Sequence, residues 1–255
     1  MNTNSGPLDR SLKEAFDREG YVALPGFLNQ EEVAELSQQV DRYIRDEVPT
    51  LPVEEVIYEQ KGRPETLKQL QRIFRYDTYF ERCFFSDRFV KLAELLLGDK
   101  VVGRNFQWFN KPPGVGQPTP PHQDGYYFML EPNEALTMWL AMDVVDEANG
   151  CVRYVPGSHR MGMRPHSATG VLGFSQGISD YGPTDQQKES ACPARPGDLL
   201  AHHSLTIHRA DGNQSNRTRK AMGFIYYAAR AKQDTKRQST YAKRLKAEMI
   251  EQGKL

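Results

Sequence analysis

Hydrophobic positions in the first hundred residues recur at helical spacing. Val33, Leu36, Val40, Tyr43 and Ile44 follow Asn29 and Glu32, an Asx cap with a glutamate three residues on. That pattern predicts an amphipathic helix ended by Pro49 and Pro52. Phe89, Leu92, Ala93, Leu96 and Leu97 predict a second helix, running from about Ser86 to a C-cap at Gly98. The stretch 54–77 between them is mixed and shows no clear period.

From Val101 the pattern changes. Segments 101–110, 136–145, 151–155, 198–207 and 220–227 are rich in β-branched, aromatic and methionine residues. Turn signals separate them: Pro112-Pro113-Gly114, Asn149-Gly150, Pro156-Gly157 and Asp211-Gly212-Asn213. Short strands between such turns predict an antiparallel sandwich or barrel. Residues 162–192 are glycine-rich and polar with little periodicity, which predicts a long functional loop, best read as a lid. Residues 240–251 predict a short charged helix. The expectation is one domain over 1–255. It has a mostly helical part (1–100), a β-core (101–230) carrying the lid, and a helical tail (231–255).

Composition narrows the function. The chain has 255 residues, with 33 Lys plus Arg balancing 33 Asp plus Glu. A zero net charge argues against nucleic acid as a partner held by bulk charge. No apolar run reaches the roughly eighteen residues of a membrane span, and MNTNSGPLDR lacks a secretory pattern. Cys83, Cys151 and Cys192 form no CxxC pair, which suggests a reducing compartment and a cytoplasmic location. A small molecule is the expected partner, without nucleic acid or membrane; oligomeric state is left open.

The candidate chemistry lies in His122-Gln123-Asp124. Residues two apart on an extended strand point the same way, so this imidazole and carboxylate can face one metal. One further histidine would complete the two-His, one-carboxylate set that leaves positions open on iron(II). The three-residue motif is weak by itself, since chance supplies roughly one match in such a composition. A lone buried histidine is more often a hydrogen-bonded structural residue than a ligand.

Longer blocks add specificity. They are 121–128 (Pro-His-Gln-Asp-Gly-Tyr-Tyr-Phe), 135–143, 149–159, Pro196-Gly197-Asp198-Leu199-Leu200, His203-Ser204, and His208 through Asn213, Ser215 and Arg219. In order and spacing they resemble the phytanoyl-CoA dioxygenase family, strongly over about 100–227. The resemblance implies a mainly β fold with flanking helices around a double-stranded β-helix (jelly-roll, cupin-like) core. It also implies iron(II), 2-oxoglutarate as cosubstrate and O2. Carried over residue by residue, His122, Asp124 and His208 would hold iron. Arg219, eleven residues after His208, would bind the far carboxylate of 2-oxoglutarate. Arg217 shares its strand face and is the rival, with a solvated turn as its simpler role. Gln107, Thr137 and Trp139 would line the cosubstrate pocket. Of the neighbours His202 and His203, only His203 matches the family's recurrent histidine, and both are read as structural. Arg209-Ala210 departs from the small residue and serine common in the family.

The intact Asp124 makes halogenation unexpected, because related halogenases open that position for a halide. The expected reaction is hydroxylation of a small molecule with release of succinate and CO2. Arg63, Arg72, Arg153, Arg160 and Arg164 are candidates for an anionic-substrate pocket, although surface ion pairs explain most of them more simply. The competing readings are a cupin-type metal-binding isomerase or sensor that does not use 2-oxoglutarate, a nucleic-acid or protein demethylase, and an idle binding module.

Overall fold

The computed structural model describes residues 7–171 and 174–251. In chain order the elements begin with α1 (Pro7–Glu19), β1 (Tyr21–Leu24), α2 (Gln30–Asp46), β2 (Val56–Tyr58) and β3 (Leu67–Leu70). Next come α3 (Thr78–Phe84), α4 (Asp87–Leu97), β4 (Val101–Asn110), β5 (Thr119–His122), α5 (Gly125–Phe128) and β6 (Leu130–Glu131). They continue with β7 (Ala135–Ala141), β8 (Val152–Tyr154), β9 (His166–Val171), β10 (Phe174–Ile178), α6 (Pro183–Gln186) and β11 (Ser190–Cys192). The last are β12 (Leu199–His203), β13 (His208–Ala210), β14 (Lys220–Ala228), β15 (Lys232–Gln233) and α7 (Thr235–Glu251).

Strands β1-β12-β7-β14-β4-β3-β2 form the major sheet and β11-β8-β13-β5 the minor one. Every named pairing is antiparallel. The fold is a jelly-roll of the cupin type with flanking helices, as expected. The period-two alternation sorts the two faces of the major sheet. Phe106 and Trp108, Met138 and Leu140, and Met222, Phe224 and Tyr226 pack outward with α2, α3 and α4 in the main core. Phe84 of α3 stacks on Phe106 and Tyr226, at centroid distances of 5.5 and 5.0 Å. Each such buried side chain stabilises the sheet–helix contact by about 1.5–3 kcal/mol. Gln107, Thr137, Trp139 and Ile225 point the other way, into a cavity.

The two predicted helices form because their ends are marked. Asn29 and Glu32 make the reciprocal capping box, and Gly98 closes α4 at φ 63°, where a Cβ would be strained. The first ends at Asp46, before Pro49 is reached.

Three expectations need correcting. Strands β1, β2 and β3 belong to the major sheet, so the β-core starts well before residue 101. Segments of three or four residues with nearly all positions buried carry no alternation to read. Residues 162–192 are not an irregular loop, since they contain the β9–β10 hairpin, α6 and β11. The exposed positions of β9 are Ser167, Ala168 and Gly170, so it has no apolar signature. None of its described residues lines the cavity, whereas Gln238 and Tyr241 of α7 do. Finally, β12 stops at His203, and a turn through Thr206 separates it from β13 within the expected 198–207 strand. No helix among the described residues is long and apolar enough to cross a membrane.

Candidate active site

The minor sheet brings the first two site residues together. Antiparallel pairing of β13 with β5 sets His208 directly opposite His122, with ring centroids 4.1 Å apart. Asp124 arrives differently from the expected strand. β5 ends at His122, and Asp124 has helical angles (φ −55°, ψ −35°) at the start of α5. A turn, not strand alternation, swings its carboxylate back beside the imidazoles. Gln123, fully buried between them, holds the turn: its amide donates to the Gly162 and Leu205 carbonyls (2.9 and 2.7 Å) and accepts from the Arg164 N–H (2.8 Å).

Hydrogen bonds orient every ring. His122 Nδ1 lies 2.8 Å from the Pro120 carbonyl and His208 Nδ1 3.0 Å from that of Thr206. A carbonyl only accepts, so both Nδ1 atoms carry the proton and both Nε2 atoms present lone pairs. Asp124 Oδ2 accepts from Thr137 Oγ1 at 2.6 Å and from His202 Nε2 at 3.2 Å. His202 is set in turn by the Tyr154 hydroxyl, 2.9 Å from its Nδ1. Oδ1 is thereby aimed at His122 Nε2 and His208 Nε2, at 3.5 and 3.7 Å.

The ligand atoms of His122, Asp124 and His208 all lie within 4.8 Å of one another. Three lone-pair donors converging in a buried space repel unless a cation sits among them, so the set fits a divalent metal. Two imidazoles and a carboxylate with other positions open suit iron(II). The protonation states agree with this. Burial pushes the Asp124 carboxyl up, but the surrounding His122, His202 and His208 overcome it and hold the group well below the usual carboxylate range. Burial, with His122 and His202 beside it, holds His208 well below its ordinary value, as a neutral imidazole.

The major sheet supplies the opposite wall of a cavity of about 670 Å³. Arg219, immediately before β14, is 5% exposed and its guanidinium lies 5.2 Å above the Trp139 ring. Its buried Nε has no hydrogen-bond partner, and no carboxylate among the described residues pairs with it. Burial lowers its pKa to about 10, which leaves it charged near neutrality. Arg217 is on the surface, paired with Asp146 at 2.6 Å. Gln107 also lines the cavity, its Oε1 accepting from Gln69 Nε2 at 2.8 Å. Lys111 lies near Arg219, 4% exposed, with Nζ donating to the Gln117 carbonyl at 2.5 Å. Burial and the charges of Arg219 and Lys68 push this lysine well below its ordinary pKa.

The structure thus gathers His122, Asp124, His208, Arg219, Gln107, Thr137 and Trp139 around one cavity. Sequence reasoning missed the part played by His202. It is the inward residue of its pair, whereas His203 faces outward toward Phe16, at a centroid distance of 6.3 Å. The parity of β12 against Thr137 and Trp139 carried that signal: His202 pairs with Thr137 and Leu200 with Trp139. Arg209 is engaged by Glu189 (2.5 Å) and Asp211 (2.6 Å).

The barrel is shared with the solved non-heme epimerase SnoN from nogalamycin biosynthesis, in complex with Fe3+, alpha ketoglutarate and nogalamycin RO. The TM-score is 0.73 at 25% identity, over 89% of this chain and 86% of that one. Fold and donor set fit the class of cupin-fold, iron- and 2-oxoglutarate-dependent oxygenases. Within that class the chain belongs to the phytanoyl-CoA dioxygenase family, whose model, Phytanoyl-CoA dioxygenase (PhyH), matches residues 16–221. The peroxisomal phytanoyl-CoA dioxygenase of Mus musculus is 25% identical over 224 residues, 82% of this chain. The chain spans 65% of the length of that relative. A probable alpha-ketoglutarate-dependent hypophosphite dioxygenase from Stutzerimonas stutzeri is 27% identical over 225 residues, covering 86% of this chain and 78% of the relative.

Proposed function

We propose that the protein is an iron(II)- and 2-oxoglutarate-dependent dioxygenase that hydroxylates a small molecule, releasing succinate and CO2. His122, Asp124 and His208 would hold the iron, and Arg219 the far carboxylate of 2-oxoglutarate. The observation that carries this reading is Arg219 itself: a buried, uncompensated cation facing the same cavity as three converging metal-ligand atoms. A cation in that position is costly unless an anion arrives to pair with it.

The bound pair would supply dioxygen activation, with 2-oxoglutarate giving up two electrons as one oxygen atom goes to succinate and the other to the substrate. The chain's own groups do the rest. Asp124, its Oδ2 held by Thr137 and His202, offers Oδ1 alone to the metal. The guanidinium fork of Arg219 matches a carboxylate's two oxygens and stays charged when water is excluded. The Trp139 ring lies against one face of that guanidinium, 5.2 Å away. Gln107, with its oxygen engaged by Gln69, has its amide N–H groups left for a cosubstrate oxygen. An aspartate at position 124 leaves no room for halide on the metal and favours hydroxylation.

A metal-binding isomerase or sensor that ignores 2-oxoglutarate has no use for Arg219. The absence of a charge excess supports a small-molecule substrate over nucleic acid. Cysteine usage supports a cytoplasmic location, which cell fractionation would test against the peroxisome named for the mouse relative.

Anaerobic titration of the protein with iron(II) and then 2-oxoglutarate tests the reading. A visible metal-to-ligand charge-transfer band is expected only when both are present. Metal binding without the band would sink the oxygenase assignment and favour the isomerase or sensor.

A further inference from the structure

We propose that the mouth of this cavity carries an oxyanion subsite formed by Arg75 and Arg104, with Arg72 beside them, which selects a primary substrate bearing a phosphoryl, phosphonate or carboxylate group. The inference rests on the cavity being the active site and adds the substrate class.

Two backbone irregularities put these side chains there. Along β4, Phe106 and Trp108 face the helices while Gln107 and Phe109 line the cavity. Strict alternation would send Arg104 to the helix side, against the aromatic rings of α3. The pairing with β14 instead matches Asn105 to Ile225 and Gly103 to Tyr226, so Arg104 is the extra residue of a β-bulge. Gly103 takes the crowded position, where a Cβ would stand 2.7 Å from Phe84 Cε1. Arg104 is released to line the cavity.

Arg72 is the second irregularity, a non-glycine residue in the left-handed region (φ 50°) that opens the short turn Ile73–Arg75. Such a conformation is strained for a residue with a side chain and persists where surrounding structure enforces it. The enforcing contact comes from the bulge: the Arg72 N–H donates to Asn105 Oδ1 at 3.0 Å. Bulge and turn are one assembly, and each delivers a guanidinium to the same mouth.

Charge pairing separates Arg75 and Arg104 from Arg63, Arg153 and Arg164. Arg63, Arg153 and Arg164, all candidates from sequence, are paired with Glu65, Glu147 and Asp185 at 2.6–2.8 Å. Arg72 is paired with Glu55, 2.9 Å from its Nε. Arg75 and Arg104 have no carboxylate partner among the described residues and rest over the Phe74 and Tyr227 rings, at 5.8 and 5.1 Å. Of the acids at the mouth, Glu55 is engaged by Arg72 and Tyr76, and Glu54 shares the lining. Ile225, Tyr227 and Phe128 give the same cavity an apolar wall. The combination fits an organic anion: a charged head at the rim and an apolar body reaching inward.

The test uses the full chain under anaerobic conditions, with iron(II) and saturating 2-oxoglutarate so that Arg219 is occupied. Phenylphosphonate, benzoate and neutral benzamide are titrated by calorimetry at low and high salt. We expect saturable, salt-sensitive binding of at least one of the two anions and none of benzamide. In the Arg75→Gln/Arg104→Gln double variant, anion binding should weaken about ten-fold or more. Arg217→Gln, a surface control, should bind as the wild type does. Preference between the two anions separates a phosphoryl-type from a carboxylate substrate. Absence of anion binding in the wild type, or equal affinity in the double variant, would overturn the subsite. The charge-transfer band is read in the same samples. Its persistence in the double variant shows an intact site, and its absence from the wild type would count against the oxygenase reading instead.

Discussion

At the minor-sheet end of the cavity, Asp124 Oδ2 accepts two hydrogen bonds, and both imidazole Nδ1 atoms are tied to backbone carbonyls. At the major-sheet end, Arg219 Nε is buried with nothing bonded to it. The first region is rigid before any ligand arrives, with its remaining lone pairs turned to one point. The second holds a charge that folding has desolvated and left uncompensated. Pre-organised donors suit a resident metal that must not drift. An unpaired cation suits a cosubstrate that enters and leaves in each turnover, since its carboxylate relieves the desolvation cost only while bound.

The contrast can be broken most severely at the metal end. His208→Ala or His122→Ala should abolish both iron(II) binding and turnover, and normal activity in either would refute the ligand assignment. Next in size is Arg219→Ala, which should keep iron binding while raising the 2-oxoglutarate requirement about a hundred-fold, the loss expected for one partner of a buried charge pair. If Arg217→Ala does this instead, the two arginines have been assigned the wrong way round. Thr137→Val removes a hydrogen bond behind Asp124 without changing size much. Iron affinity should fall about ten-fold, measured by competition with a chelator, while the 2-oxoglutarate requirement at saturating iron stays near wild type.

A smaller effect sharpens the comparison from the stability side. Arg219→Met replaces the uncompensated cation with an apolar side chain. It should raise the melting temperature of the ligand-free protein by about 2–4 °C for each kcal/mol gained. The stabilisation of the wild type by 2-oxoglutarate with metal should disappear in the variant. A destabilised Arg219→Met would mean that the guanidinium is structurally satisfied after all. Smallest is Arg217→Ala, where loss of the exposed Asp146 pair should change stability by about 0–1 kcal/mol in thermal unfolding.

Much of the scaffold was legible along the chain because it depends on local pattern. The capping box at Asn29 and Glu32, the apolar faces of α2 and α4, and the long strands β4 and β14 are each specified within a few neighbouring residues. Short or exposed pieces were not. β3 is buried throughout and β2 at two of its three positions, and the β9–β10 hairpin has no apolar stripe, so none shows a period.

Sequence by itself determined the family blocks, the candidate residues His122, Asp124, His208 and Arg219, and the antiparallel β class, since residue identity and spacing carry those. Tertiary structure alone decided how the candidates meet. A helical turn, rather than strand alternation, turns Asp124 toward the imidazoles. β12 parity sends His202 inward and His203 out, and one inserted residue in β4 brings Arg104 to the cavity. These outcomes depend on register between segments far apart in the chain, and a shift of one residue reverses the face a side chain occupies.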